Sequence, residues 1–163
     1  MLENIRLCKL TEKEAEDVMN YIGSIKEELS NPMLMMYGNP ELLQYRLSQG
    51  YEFIISAIDS NESIVGLLCA ISNLITDPEN NSWGISLMHI QPEFRNQSVG
   101  DALLEEFIRY AKEKGTFKIS SSSPPEDVEK QVMLLRQGFR QEGYVRHGKK
   151  QGSDMVLYAL NLE

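Results

Sequence analysis

The nine residues SWGISLMHI, Ser82 to Ile90, constrain this chain more than any other stretch. They include no Asp, Glu, Lys or Arg and read as a strand that is apolar at nearly every position. Such a strand needs cover on both faces, which places it near the middle of a sheet. It runs directly into QPEFRNQSVGD and then ALLEEFIRYAKEKG, a polar bend followed by an amphipathic helix. A strand, a bend and a helix start in succession bring several unpaired backbone N–H groups to one place. The helix dipole adds partial positive charge there, so an anion is favoured. Gly100 lets the backbone approach a ligand closely, and Arg95 can add a charge-assisted bond to a phosphate oxygen. The same residues support a second reading. Ser98-Val99-Gly100-Asp101 is a Ser-x-x-acid arrangement that can cap its own helix and hold nothing.

The rest of the chain supplies a sheet for this unit. IRLCKL alternates as a strand, and TEKEAEDVMNYIGSIKEEL follows as an amphipathic helix with Thr11 and Glu14 spaced as a capping box. SNPMLMMYGNP interrupts it, and ELLQYRLSQG reads as a second short helix. YEFIISAI and IVGLLCAISNLI flank the turn DSNES as a hairpin. After the central unit, TFKISSS is a strand and PEDVEKQVMLLRQG a helix, with Pro125 near its first turn and Gly138 at its end. FRQEGYVRH and DMVLYALNL close the chain as strands around GKKQGS. The order β-α-α-β-β-β-α-β-α-β-β defines an α/β (α+β) domain with a mixed sheet. At 163 residues the chain is expected to form one domain, residues 1–163.

Composition narrows the function. With 42% hydrophobic and 25% charged residues the chain has the make-up of an ordinary globular protein. No run approaches the roughly 18 apolar residues of a membrane helix. The N-terminus lacks the basic-then-apolar layout of a secretory signal, so a cytoplasmic location is expected. Cys8 and Cys69 are expected to be free buried thiols. The only histidines, His89 and His147, form no zinc spacing with them, so no metal is expected. The net charge of −8 disfavours nucleic acid, whose binding rests on Lys and Arg. The same charge serves solubility and can steer a cationic small substrate.

The stretch PEFRNQSVGDALLEEFIRYAKEKG resembles motif A of the GCN5-related N-acetyltransferases, Gln/Arg-x-x-Gly-x-Gly/Ala, with Arg95 and Gly100 at its first and last positions. Pro92 to Arg95 and Ala102-Leu103-Leu104 match what commonly flanks it, and LLRQGFRQEGY is similar to the family's downstream segment around Gly138-Phe139. The resemblance implies a mixed, mostly antiparallel twisted sheet of about seven strands flanked by helices, with two splayed central strands and acetyl-CoA between them. It implies that the backbone of Met88, His89 and Ile90 bonds the pantetheine arm. The loop Arg95, Asn96, Gln97, Ser98, Val99 and Gly100 would hold the pyrophosphate. The expected reaction is direct attack of a neutral amine on the thioester, helped by positioning and polarisation of the carbonyl. Candidate acceptors are a polyamine, an aminoglycoside-like antibiotic, an amino acid, or a peptide N-terminus or lysine.

Three departures from the family pattern bear on mechanism. Ser98 stands at the first motif glycine, next to the acidic Asp101. Leu134 occupies the place where many members carry a tyrosine as acid to the departing thiolate. Tyr144 or one of Ser120 to Ser123 can substitute there or be structural. The strand carboxylate of some relatives is missing, and His89 is the titratable side chain on that strand, as a base or as a packing residue. No catalytic residue is therefore assigned. Met33 to Asn39 is the candidate acceptor region or packing between the early helices, and Trp83 is expected to be buried. Lys149 and Lys150 are expected at a solvated hairpin tip. The alternatives to an enzyme are a non-catalytic acetyl-CoA-binding or regulatory protein of this fold, and an interaction domain without cofactor. Pairing through the final strands makes a homodimer possible.

Overall fold

The computed structural model describes residues 4–29, 36–148 and 152–162. Its elements follow the predicted order: β1 (Arg6–Lys9), α1 (Ala15–Ser24), α2 (Pro40–Ser48), β2 (Glu52–Ile58), β3 (Ile64–Ser72), β4 (Ser82–Ile90), α3 (Val99–Glu113), β5 (Lys118–Ser123), α4 (Val128–Arg136), β6 (Arg140–Val145) and β7 (Met155–Asn161). They build one seven-stranded sheet in the order β1-β2-β3-β4-β5-β7-β6. Every neighbouring pair is antiparallel except β4 with β5. The apolar run of β4 is thus the central strand, as its composition predicts.

Two cores pack on opposite faces of the sheet. The larger combines Phe53, Ile55, Leu68, Trp83 and Ile119 with Leu103, Leu104 and Phe107 of α3 and Leu134 of α4. The smaller seats Val18 and Ile22 of α1 and Leu43 of α2 against Ile54, Leu67 and Cys69. Trp83 is buried in the first, with its ring edge-on to Phe107 at 5.9 Å. Both cysteines are free, but only Cys69 is buried; Cys8 is half-buried on edge strand β1.

The helix starts follow local chemistry, with two departures from the sequence reading. Thr11 and Glu14 form the capping box, on a single 3₁₀ turn ahead of α1. The helix ends at Ser24, and a separate 3₁₀ turn, Lys26–Glu28, follows where the apolar spacing suggests a continuous helix. In α4 the N-cap is Asp127, whose carboxylate accepts from the Lys130 amide at 3.1 Å, so Pro125 precedes the helix. Gly138 follows α4 with φ of +90°, the left-handed end that favours glycine. Lys149, Lys150 and Met33 to Met35 lie outside the described residues.

The seam between β4 and β5 positions the site. Only three pairs join these strands, Ser82–Lys118, Trp83–Ile119 and Gly84–Ser120. Beyond them β4 stays with β3, and β5 stays with β7. A bulge lies just past the last pair: Cys69 faces Leu87 and Ala70 faces Ile85, leaving Ser86 as the extra residue. A bulge bends its strand and raises the local twist, which carries β4 away from β5. Ser86 makes the irregularity satisfied, since its hydroxyl donates to the Cys69 carbonyl at 3.1 Å and shares a 2.6 Å hydrogen bond with Tyr37.

Candidate active site

Past the seam, the end of β4, the bend and α4 enclose a cleft of about 630 Å³. Met88, His89, Ile90, Arg95, Asn96, Ser98 and Gly100 all line it, so most of the residues singled out in the sequence meet there. Gln97 and Val99 are outside the lining. The Gln97 side chain turns back to the Glu93 carbonyl at 2.9 Å, and Val99 is fully buried against the sheet. Within the described residues, no hydrogen bond takes up the N–H groups of Ser98, Val99, Gly100 or Asp101. Four free amides at the start of a 15-residue helix form a cradle for an anion.

Ser98 explains the shape of the cradle. Its φ is +59° and ψ +16°, a left-handed conformation, and its side chain makes no capping bond. The self-capped reading of the bend is therefore overturned. The left-handed turn also gives the physical reason for a glycine at this motif position, because any side chain is strained there. Asp101 does not cap either. Its carboxylate turns to α4, where Arg136 donates to it at 2.7 Å. Gly100 allows close packing: a Cβ there would lie 2.9 Å from the Met133 sulfur.

Several charged side chains of the cleft already have partners within the protein. Arg95 donates to the Ile90 carbonyl at 3.0 Å and to Glu28 at 3.3 Å. The same Glu28 oxygen lies 3.0 Å from Nε2 of His89, whose Nδ1 is 2.8 Å from the Tyr21 hydroxyl. Burial holds the Tyr21 hydroxyl well above its ordinary range, so it stays protonated and can donate to Nδ1. Nε2–H then donates to Glu28. Both ring nitrogens of His89 are thus engaged, and the ring is buried. Lys130 donates to the Ser122 carbonyl at 2.8 Å.

The wall opposite β4 is α4, with Val128, Val132 and Met133 toward the cleft. Leu134, one residue on, is fully buried in the larger core. The acidic hydroxyl that a tyrosine would supply is absent from the described lining. Tyr144 lies on exposed β6 and donates to Asp154 at 2.6 Å. Sequence reasoning missed Glu28, Tyr21 and the α4 wall. The i, i+4 pair Val128 and Val132 was the available signal, but periodicity alone does not say which apolar stripe faces a ligand. A second groove, of about 580 Å³, reaches Ile85, Ser120 and Ser122 near the seam from Asn73, Asn80 and Glu142. Among the described residues no His, Cys, Asp and Glu are grouped to hold a metal ion, and no helix is long and apolar enough to cross a membrane.

The sheet parts at its one parallel pair, and the free amides of the bend follow the end of the parted strand β4. The sequence matches the Acetyltransferase (GNAT) family over residues 21–139, and the chain belongs to that family. No protein with a curated description matches it. Solved structures share the fold. A ribosomal-protein-S5-alanine acetyltransferase from Vibrio fischeri superposes with TM-score 0.76 at 17% identity, over 99% of this chain and 94% of that one. A GNAT-family acetyltransferase from Streptococcus pneumoniae gives 0.80 at 15% identity, over 97% and 99%. A ribosomal-protein-alanine N-acetyltransferase from Brucella melitensis gives 0.79 at 17%, over 96% and 99%.

Proposed function

We propose that this acetyltransferase transfers the acetyl group of acetyl-CoA to a primary amine of a small molecule or peptide. The observation that carries the reading is the parting of β4 from β5 together with the four free amides of the bend that follows β4. The cradle takes the diphosphate, with Arg95 at its side. The edge of β4 that has lost β5 offers backbone groups, around Met88, His89 and Ile90, to the pantetheine amides. Those contacts fix the thioester near the bulge at Ser86, where binding energy is converted into orientation.

The acceptor reaches the seam through the groove that ends at Ser120 and Ser122. Its neutral amine attacks the thioester carbonyl, the C–S bond breaks, and the sulfur leaves as thiolate. A model thiol has a pKa near 8.5, so a thiolate departs without a dedicated acid, and Leu134 in the core is compatible with turnover. The amine proton passes to water in the groove. The names of two structural neighbours specify ribosomal-protein alanine, but at 17% identity they lend this chain an amine class and no particular acceptor.

A second reading, a non-catalytic acetyl-CoA-binding protein of this fold, is favoured by the engaged nitrogens of His89 and by the lack of a hydroxyl acid in the described lining. One sequence of measurements separates the readings. Acetyl-CoA should raise the melting temperature with the logarithm of its concentration. Thiol release across a panel of polyamines, aminoglycosides, amino acids and N-terminal peptides should then identify an acceptor. Stabilisation without turnover on any amine supports the second reading, and no stabilisation removes both.

A further inference from the structure

Ser121 is the first β5 residue past the last β4–β5 pair, Gly84 with Ser120. Alternation along the strand turns its side chain to the face it shares with Ile119, the face packed by α3 and α4. Two other hydroxyls of the strand are committed. Ser120 donates to the Trp83 carbonyl at 3.3 Å, and Ser123 to the Pro124 carbonyl at 3.1 Å. Across the β5–β7 pair, Tyr158 stands opposite Ser121 and donates to Gln131 at 2.8 Å. Ser121 itself is only 6% exposed, and its hydroxyl makes no hydrogen bond. Among the described residues one other buried side-chain atom, Glu52 Oε1, is in that condition.

A buried hydroxyl without a partner is less favourable than the alanine or valine that would fill the same space. Ile119, two residues earlier on the same face, shows what the strand places there when packing is the only demand. Ser121 differs in one respect: β5 has just lost β4 as its neighbour. Ser121 lines the groove that reaches the seam, together with Ser120 and Ser122, and the cleft itself is lined by Met88 and Met133, whose flexible thioethers can yield to an entering chain.

We propose that the Ser121 hydroxyl is a ligand-binding donor, bonding a carbonyl oxygen of the arm that lies between β4 and β5, an amide or the thioester itself. This rests on the reading of the cleft as an acetyl-CoA site. It adds to that site a binding residue on the β5 lip, where the family motif contributes nothing.

The test compares natural protein with Ser121→Ala by acetyl-CoA calorimetry and by melting without ligand. Acetyl-CoA affinity should fall about three- to tenfold, the effect of one neutral hydrogen bond. The ligand-free melting temperature should stay level or rise, because an unpaired buried hydroxyl has gone. Unchanged affinity overturns the proposal, and so does a lower ligand-free melting temperature, which would reveal an internal partner. Failure of the natural protein to bind acetyl-CoA would remove the cofactor reading and Ser121's role with it. Binding that Ser121→Ala leaves intact removes Ser121 alone.

Discussion

Every residue of β2 is buried, whereas five of the six in β6 are exposed. Strands β1 to β4 are covered by α1 and α2 on one face and by α3 on the other. Strands β5, β7 and β6 have helical cover on one face, and Leu157 on the other stands partly in solvent. The polar pairs follow the same division. Arg46 and Glu52, 2.5 Å apart, are a buried pair beneath α2, with side chains 7% and 0% exposed. Lys118 and Glu142, 2.8 Å apart, are a half-exposed pair on the second half. The ligand cleft lies between a half that is locked from both sides and a half that is held from one.

The largest test of this contrast removes one partner of each pair. Arg46→Met should cost about 3–5 kcal/mol, because Glu52 is left as an uncompensated buried charge. Lys118→Met should cost less than about 1 kcal/mol. Urea unfolding measures both, and equal costs would show that the two halves are not differently built. Burial also raises the Glu52 pKa, with Arg46 opposing it, while Tyr37, Cys69 and Ser86 face the same pocket. A raised carboxylate keeps its proton when the unfolded chain has lost it. Stability from this group is present in acid and declines as pH climbs from the ordinary carboxylate range through the raised value. Glu52→Gln should flatten that decline.

Next in size is the cradle. Arg95→Ala should weaken acetyl-CoA binding roughly 10- to 100-fold, the range for a lost charge-assisted hydrogen bond. Calorimetry at fixed salt reads this directly. An unchanged affinity would mean that free amides alone hold the diphosphate, and the β4 side would owe nothing to its side chains.

The two sides of the cleft also differ in how far the sequence discloses them. The β4 side is written in local patterns: an apolar run, a polar bend, and a glycine at the right spacing. Each has a physical reason within a few residues of itself, which singles out Arg95 and Gly100, and the family resemblance adds Met88 to Ile90 and the rest of the loop Arg95 to Gly100. The β5 and α4 side depends on which face of a helix turns inward and where two strands part, and both are settled by distant packing. Ser121 reads as one serine in a run of four until its neighbours' hydrogen bonds are known. Glu28 reads as a solvated helix end until the chain returns to lay β4 beside it. Ser98 shows the middle case. Its departure from glycine is visible in the sequence, but only the backbone angle reveals that the cost is strain rather than a cap.

That strain supplies a smaller effect. Ser98→Gly should stabilise the ligand-free protein by about 1 kcal/mol, by relieving a left-handed non-glycine residue. Acetyl-CoA affinity should change little, since the amides already stand in the right place. A rise in affinity with no gain in stability would show that the hydroxyl, and not the backbone, limits the cradle.

The smallest effect examines how the early helices and the bend are joined. Glu28 meets Arg95 and His89 through one carboxylate oxygen, at 3.3 and 3.0 Å, and its side chain is 49% exposed. A diphosphate approaching the bend must compete with that carboxylate for Arg95 and is also repelled by it. Glu28→Gln removes the repulsion and keeps a polar group beside His89, so acetyl-CoA should bind about threefold more tightly. The gain should shrink as salt is raised, because the pair faces solvent. Weaker binding in the variant would reverse the argument. Glu28 would then hold Arg95 in place for the ligand, and the α1 side would form part of the cradle instead of competing with it.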